Sequence, residues 1–257
     1  MNDHAVVSRE EWLNARKALL AKEKEFTHMR DRLNADRMAL PWVKVEKKYT
    51  FDTPSGRKTL TDLFDGRSQL IVYSFMLAPG WAAGCPGCSF IADHFAGAMP
   101  HLEHHDVTLT AISRAPLAEI EAYKKRMDRH FPWASSAASD FNYDYHVSFT
   151  PEQLASGKIF YNFSEMPVPT NSKETEHHAL SAFYKNEAGE IFHTYSSYAR
   201  GHEELLGTMM ILDRAPFGRN GKKTMDFVRR HDEYENAPKP KAELVSLEPA
   251  ARGKATA

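Results

Sequence analysis

The stretch "SQLIVYSFMLAPGWAAGCPGCSFIADHF" (68–95) decides the fold. Residues 68–77 form a nearly continuous apolar run of strand length, the pattern of a strand buried on both faces of a mostly parallel sheet. The only two cysteines of the chain, Cys85 and Cys88, follow within a short loop. A helix is expected from Pro86, since proline suits a first helical turn. Phe90, Ile91, Phe95, Met99 and Leu102 then give it an apolar face.

Two thiols three positions apart pose a chemical question. A disulfide between them would close a loop too short to constrain much unfolded chain. A zinc site needs further ligands, for which His177 and His178 are the best-placed histidines. Redox chemistry needs a thiolate, and a helix start offers one unpaired N–H groups and the positive end of the dipole. Cys85, at the expected N-cap, reads as the nucleophile. Cys88, one turn in and more sheltered, reads as the thiol that resolves a mixed disulfide. Pro86 stiffens the first turn without losing a needed donor, and Gly87 leaves the loop open to a partner chain. Trp81 is either an apolar wall for a docking peptide or packed core. Arg114 follows the strand "DVTLTAIS" (106–113), where a guanidinium would hold the thiolate or an acidic substrate group; the other reading is a solvent-facing arginine.

Working outward, residues 8–40 read as one amphipathic helix with a Ser8/Glu11 capping box. Trp12, Leu19, Phe26, Leu33 and Leu40 recur every seven residues. The second apolar column fades at Thr27 and Asn34, which favours an arm folded onto its own domain over a dimer seam. Pro41 ends the helix. A hairpin around "TPSG" (53–56) and the turn "TDLFDG" (61–66) precede the decisive strand. After it come the strand 106–113, a helix from Pro116 to Phe131, and a short strand in "PWASSAASDF" (132–141). Residues 150–178 read as a polar surface excursion, "LSAFYKNEAGEIFHTYSS" (180–197) as a hairpin and "EELLGTMMILDR" (203–214) as a helix. The expected organisation is an N-terminal helix over 1–40, one α/β domain over 41–235 and a disordered tail over 236–257. "HLEHHD" places His101, His104 and His105 at a helix end, where they answer the negative end of its dipole. "RRHDEY" (229–234) reads as a solvated terminal segment or a contact with the domain.

Lysine and arginine total 33 against 34 acids, so no basic excess points to nucleic acid or an anionic membrane as partner. The opening "MNDHAVVSREEW" lacks the features of a signal peptide. The longest apolar run, "LIVYSFMLAPGWAAG", is too short and too broken to span a bilayer. A cytoplasmic setting is expected, where a cysteine pair is more often catalytic than structural. No metal and no cofactor is expected.

Taken together, "SREEWLNARKALLAKEKEFTHMRDRL", "LTDLFDGRSQLIVYSFML", "GCPGCSFIADHF", "HLEHHDVTLTAISRAPLAEIEAYKKRM", "FHTYSSYARG" and "RRHDEY" resemble a bacterial thioredoxin-like family, domain of unknown function 899, from about Ser8 to Tyr234. The resemblance implies an α/β, thioredoxin-like fold in a peroxiredoxin-like variant: a three-layer sandwich with a central mixed sheet and an N-terminal helical extension. Thioredoxins carry tryptophan before the first cysteine and Gly-Pro between the two, where this chain has Gly84 and Pro86-Gly87. Their cis-proline position falls here on His178 or Ala179. Peroxiredoxins set a threonine three residues before the peroxidatic cysteine; here it is Ala82, which weakens a peroxidase reading. The expectation is a thiol–disulfide oxidoreductase acting on a protein or small-molecule disulfide, with a reductant the sequence does not identify. A thiol peroxidase on the same fold is one alternative. The other is a non-catalytic adaptor forming a homodimer through the N-terminal helix.

Overall fold

Ser8 caps the first helix, α1 (Arg9–Met38): its hydroxyl accepts the Glu11 N–H at 3.2 Å while the Glu11 carboxylate accepts the Ser8 N–H at 2.9 Å. The structure, a computed structural model, describes residues 4–170, 172, 174–219, 223 and 225–237. The tail expected over 236–257 lies outside them from residue 238. Against the expectation of an arm folded onto its domain, no residue of α1 is buried, and Phe26 stays 63% exposed. The second apolar column is interrupted by the polar Thr27 and Asn34, so only a narrow stripe is available for burial. The last turn reaches the domain, where Arg37 lies 3.8 Å from Glu204 and over the ring of Tyr195.

Beyond Pro41 the chain forms β1 (Val43–Lys44), β2 (Thr50–Thr53), β3 (Gly56–Thr59) and the decisive strand β4 (Gln69–Ser74). Next come α2 (Pro86–Ala92), α3 (Met99–His104), β5 (Val107–Ser113), α4 (Leu117–Arg126), β6 (Trp133–Ser135) and α5 (Phe141–Asp144). They are followed by α6 (Pro151–Ala155), β7 (Lys158–Tyr161), β8 (Ser164–Pro167), β9 (Ala179–Lys185), β10 (Ile191–Tyr198) and α7 (Gly207–Leu212). One sheet runs β1-β10-β9-β4-β5-β6-β2-β3. In it β4, β5 and β6 are parallel, and β9 pairs antiparallel to β4.

Alternation along the central strands builds two cores. Ile71, Tyr73, Leu109 and Ala111 face a cluster with Phe90, Ile91, Ile120, Tyr123 and Met127, from α2, α4 and the residue after it. Leu70, Val72, Ile112 and Phe183 face the other side, against Leu63, Phe64 and Phe141. A sheet buried on both faces by helices is a three-layer α/β sandwich. Parallel β6, β5 and β4 continued by the antiparallel pair β9 and β10 make the expected thioredoxin-like arrangement.

Three expected elements differ. The helix expected from Pro86 through Leu102 is broken into α2 and α3, joined by turns; Pro100, which lacks an N–H, sits in the first turn of α3 rather than inside a continuous helix. The excursion 150–178 contains α6 and the β7–β8 hairpin. Ile159 and Tyr161 alternate inward to a third core with Val147, Phe149, Leu154 and Tyr198. The helix expected over 203–214 is a 3-10 turn (His202–Leu205) followed by α7, because Leu206 leaves helical geometry (φ −102°, ψ 80°) and buries its side chain.

Arg114 ties the excursion to the end of β5. Its guanidinium donates to the buried Glu176 carboxylate at 2.7 and 2.8 Å and to the Tyr143 hydroxyl at 3.0 Å, and Ser148 donates to the same carboxylate at 2.5 Å. Removing the cation leaves a buried acid unpaired, so Arg114→Met should cost about 3–5 kcal/mol of stability. The double variant Arg114→Met/Glu176→Gln should recover part of it, both read from urea midpoints. A second prediction concerns Gly84: a Cβ there would lie 2.4 Å from one ring carbon of Phe75 and 2.9 Å from one of Tyr123. Gly84→Ala should therefore lower stability by about 1–3 kcal/mol through overpacking, measured the same way.

Candidate functional site

Beyond β4 the chain stays extended, Phe75 N–H donating to Ile112 O, then loops out and returns so that the Cys85 N–H donates to Met76 O at 3.0 Å. That bond sets Cys85 at the carboxyl end of the parallel strands, where open α/β sheets gather their sites. Cys85 is the N-cap of α2, with Pro86 as its first residue; the Ser89 N–H and hydroxyl both donate to Cys85 O, at 2.9 and 2.8 Å. Cys85 is half-buried and Cys88 is 2% exposed; both are free thiols.

The two sulfurs titrate in opposite directions. The Cys88 thiol donates to the Cys85 sulfur and, against the opposing effect of burial, holds its pKa down at about 6, helped by the Cys88 and Gly87 amides and the charge of Arg230. Burial pushes Cys88 well above the ordinary thiol value, and the neighbouring Cys85 adds to the shift. The Tyr73 hydroxyl is fully buried beside Cys88 without a hydrogen-bond partner, and it opposes the upward shift of the Cys88 thiol. Because α2 has seven residues, the local amides and thiol carry the effect more than a long dipole does.

Arg114 does not serve the thiolate, since its guanidinium is committed to Glu176. The cation near Cys85 is Arg230, from "RRHDEY". Its Nε donates to Gly84 O at 2.8 Å and its Nη1 to Glu233 at 2.7 Å. The same segment is clamped by Arg126 to Asp232 at 2.7 Å and by His231 to Asp93 at 2.8 Å. Trp81 packs against the core rather than lining the site. Pro86 is exposed, as a first-turn residue can be. Gly87 is half-buried and lines the cavity beside Cys85, where a Cβ would meet Met225 Cε at 3.4 Å.

Above the thiols lies a cavity of about 480 Å³ with walls from Tyr73, Ile91, Ala199, Leu206 and Met225. His178, immediately before β9, and His202 also line it. His178 Nε2 donates to Ala199 O at 3.1 Å. His202 Nε2 bonds Ser197 Oγ at 2.9 Å, while its buried Nδ1 has no partner. Burial lowers both histidines, His202 to about 4. His202 and Arg230 are the members of this site that sequence reasoning missed. His177 turns away and stacks on Tyr161, and His101, His104 and His105 lie on the surface around the end of α3. Among the described residues no three His, Cys, Asp or Glu side chains group as a metal site, and no helix is long and apolar enough to cross a membrane.

The thioredoxin-like core has solved counterparts. A peroxidoxin, BcpB, from Mycobacterium tuberculosis is 13% identical, matching 67% of this chain and 97% of its own with a TM-score of 0.43. A cysteine-to-serine mutant of Xanthomonas campestris peroxiredoxin Q is 11% identical over 63% of this chain and 90% of its own, TM-score 0.42. A yeast mitochondrial 1-Cys peroxiredoxin is 19% identical over 65% of this chain and 75% of its own, TM-score 0.36. No curated protein matches the chain. A family model described as "Bacterial protein of unknown function (DUF899)" matches residues 1–234, from the capped first helix to the "RRHDEY" clamp, and the chain belongs to that family.

Proposed function

We propose that the chain is a thiol–disulfide oxidoreductase in which Cys85 attacks and Cys88 resolves. The observation that carries this reading is the opposed pair: a half-buried sulfur held anionic near neutral pH beside a buried one held protonated. The Cys85 thiolate attacks one sulfur of a substrate disulfide, forming a mixed disulfide and releasing the first substrate thiolate. The Cys88 thiol gives up its proton, and its sulfur attacks Cys85, expelling the second substrate sulfur. The pair ends oxidised as Cys85–Cys88 and the substrate gains two electrons. An external thiol or dithiol returns the pair to its starting state, which suits a reducing compartment such as the cytoplasm.

Reactivity should follow the thiolate fraction. Iodoacetamide labelling of Cys85 should rise with pH and level off above a midpoint near 6. In Arg230→Met the midpoint should move up, because a favourable charge is gone. A midpoint at the ordinary thiol value of about 8.5 removes the nucleophile and the proposal with it.

The Cys88→Ser variant should accumulate a mixed disulfide on Cys85 when mixed with a disulfide substrate, detected by mass spectrometry. Turnover of a hydroperoxide by Cys88→Ser but not Cys85→Ser, with no mixed disulfide trapped, would favour the thiol peroxidase instead.

A further inference from the structure

Resting on the exchange reading above, we propose that the substrate is a small, uncharged organic disulfide taken whole into the cavity over Cys85, rather than a disulfide presented by a protein. Three observations carry this. The cavity of about 480 Å³ falls in the range of about 300–1,000 Å³ typical of small-molecule sites, and its walls are chiefly apolar.

Among the described lining residues, no unpaired charge other than the attacking thiolate faces a ligand. His178 and His202 are held neutral by burial. The two charged lining residues, Arg200 and Glu203, are paired with each other. A charged substrate would lose hydration on entry without a counter-ion to replace it.

The backbone beside the thiols is also partly taken up within the chain. A docking peptide would pair with the segment just before β9 through main-chain hydrogen bonds. Here the His177 N–H donates to Val147 O at 2.8 Å and His178 O accepts the Tyr161 hydroxyl at 2.8 Å. On the opposite rim Met225 rests on Gly87. Two of the backbone groups that could read a peptide are thus occupied within the chain, while the cavity beside them is open.

The exchange balances with named species. Cys85–S⁻, Cys88–SH and R–S–S–R give Cys85–S–S–Cys88, R–SH and R–S⁻, and an external dithiol such as dithiothreitol closes the cycle.

The test uses the full chain, reduced and desalted, and follows oxidation of the pair by three disulfides. These are lipoamide, a neutral cyclic alkyl disulfide ending in an amide; glutathione disulfide, which is charged; and insulin. Each rate is divided by that of the same disulfide with free dithiothreitol, which removes intrinsic differences in reactivity. The normalised rate for lipoamide should exceed those for glutathione disulfide and insulin by about tenfold or more, the penalty expected for bringing unpaired charge or a blocked backbone to this site. Ala199→Leu, which narrows the cavity, should reduce the lipoamide rate by about tenfold. Leu206→Phe replaces it should that variant fail to fold by circular dichroism.

Equal normalised rates in the wild-type chain, or a lipoamide rate untouched by a folded cavity variant, overturn the proposal. Should insulin alone react quickly, exchange chemistry stands and the small-substrate assignment falls. Should no disulfide oxidise the pair, both fall together.

Discussion

Two free thiols stand together beyond the carboxyl end of β4, and the chemistry of the site depends on which of them gives up its proton. The Cys88 thiol donates to Cys85 and lowers its pKa; the thiolate so formed, together with burial, raises that of Cys88. Neither shift would survive in water, where the hydrogen bond would compete with solvent. Burial of Cys88 among Tyr73, Ile91 and the rest of the first core removes that competition. The apolar core is therefore what makes the charge separation possible, and the asymmetry in exposure decides its direction.

Close packing under the loop holds that geometry. Gly84 has no room for a Cβ between Phe75 and Tyr123, so the backbone approaches the aromatic layer directly and Cys85 is drawn down onto Met76 O. Gly84 O also accepts from Arg230 Nε at 2.8 Å, which brings a cation within reach of the thiolate. Tyr123 shares a hydrogen bond with Ser89, which in turn bonds Cys85 O. Aromatic packing, backbone and charge thus hold the same short loop from three sides, and Phe75 is itself packed against Trp133, whose indole donates to Ser113.

Much of this is legible in the sequence, and what is not has identifiable causes. The strand, the Cys-x-x-Cys turn and Pro86 are contiguous, so local pattern is enough to place Cys85 and Cys88. His178 can be placed because it immediately precedes a clear hairpin strand. Arg230 cannot, since its partner Gly84 lies 146 residues away and nothing local separates it from the other basic residues of "RRHDEY". His202 hides in a segment whose apolar spacing resembles a helix, and the break at Leu206 is a tertiary choice to bury that side chain. Arg114 is legible as a strand-end residue but its partner is not, because Glu176 arrives from an excursion whose polar run masks the alternation of Ile159 and Tyr161. The exposure of α1 is equally unreadable: a stripe of apolar residues states that a face can be buried, not that it is.

The same asymmetry that favours attack by Cys85 shapes the return half of a disulfide-exchange cycle. A reductant can reach the Cys85 sulfur but not Cys88, so it must attack Cys85 and expel Cys88. A thiol with a raised pKa is a poor leaving group, and expulsion slows as that pKa climbs. The Tyr73 hydroxyl bears on this difficulty: it is fully buried beside Cys88 with no hydrogen-bond partner, and it opposes the upward shift. Burial also raises the pKa of Tyr73 itself, so it stays a neutral donor. A hydroxyl left without a hydrogen bond in a close-packed core is costly, and stabilising the departing sulfur gives it a use that core packing alone would not.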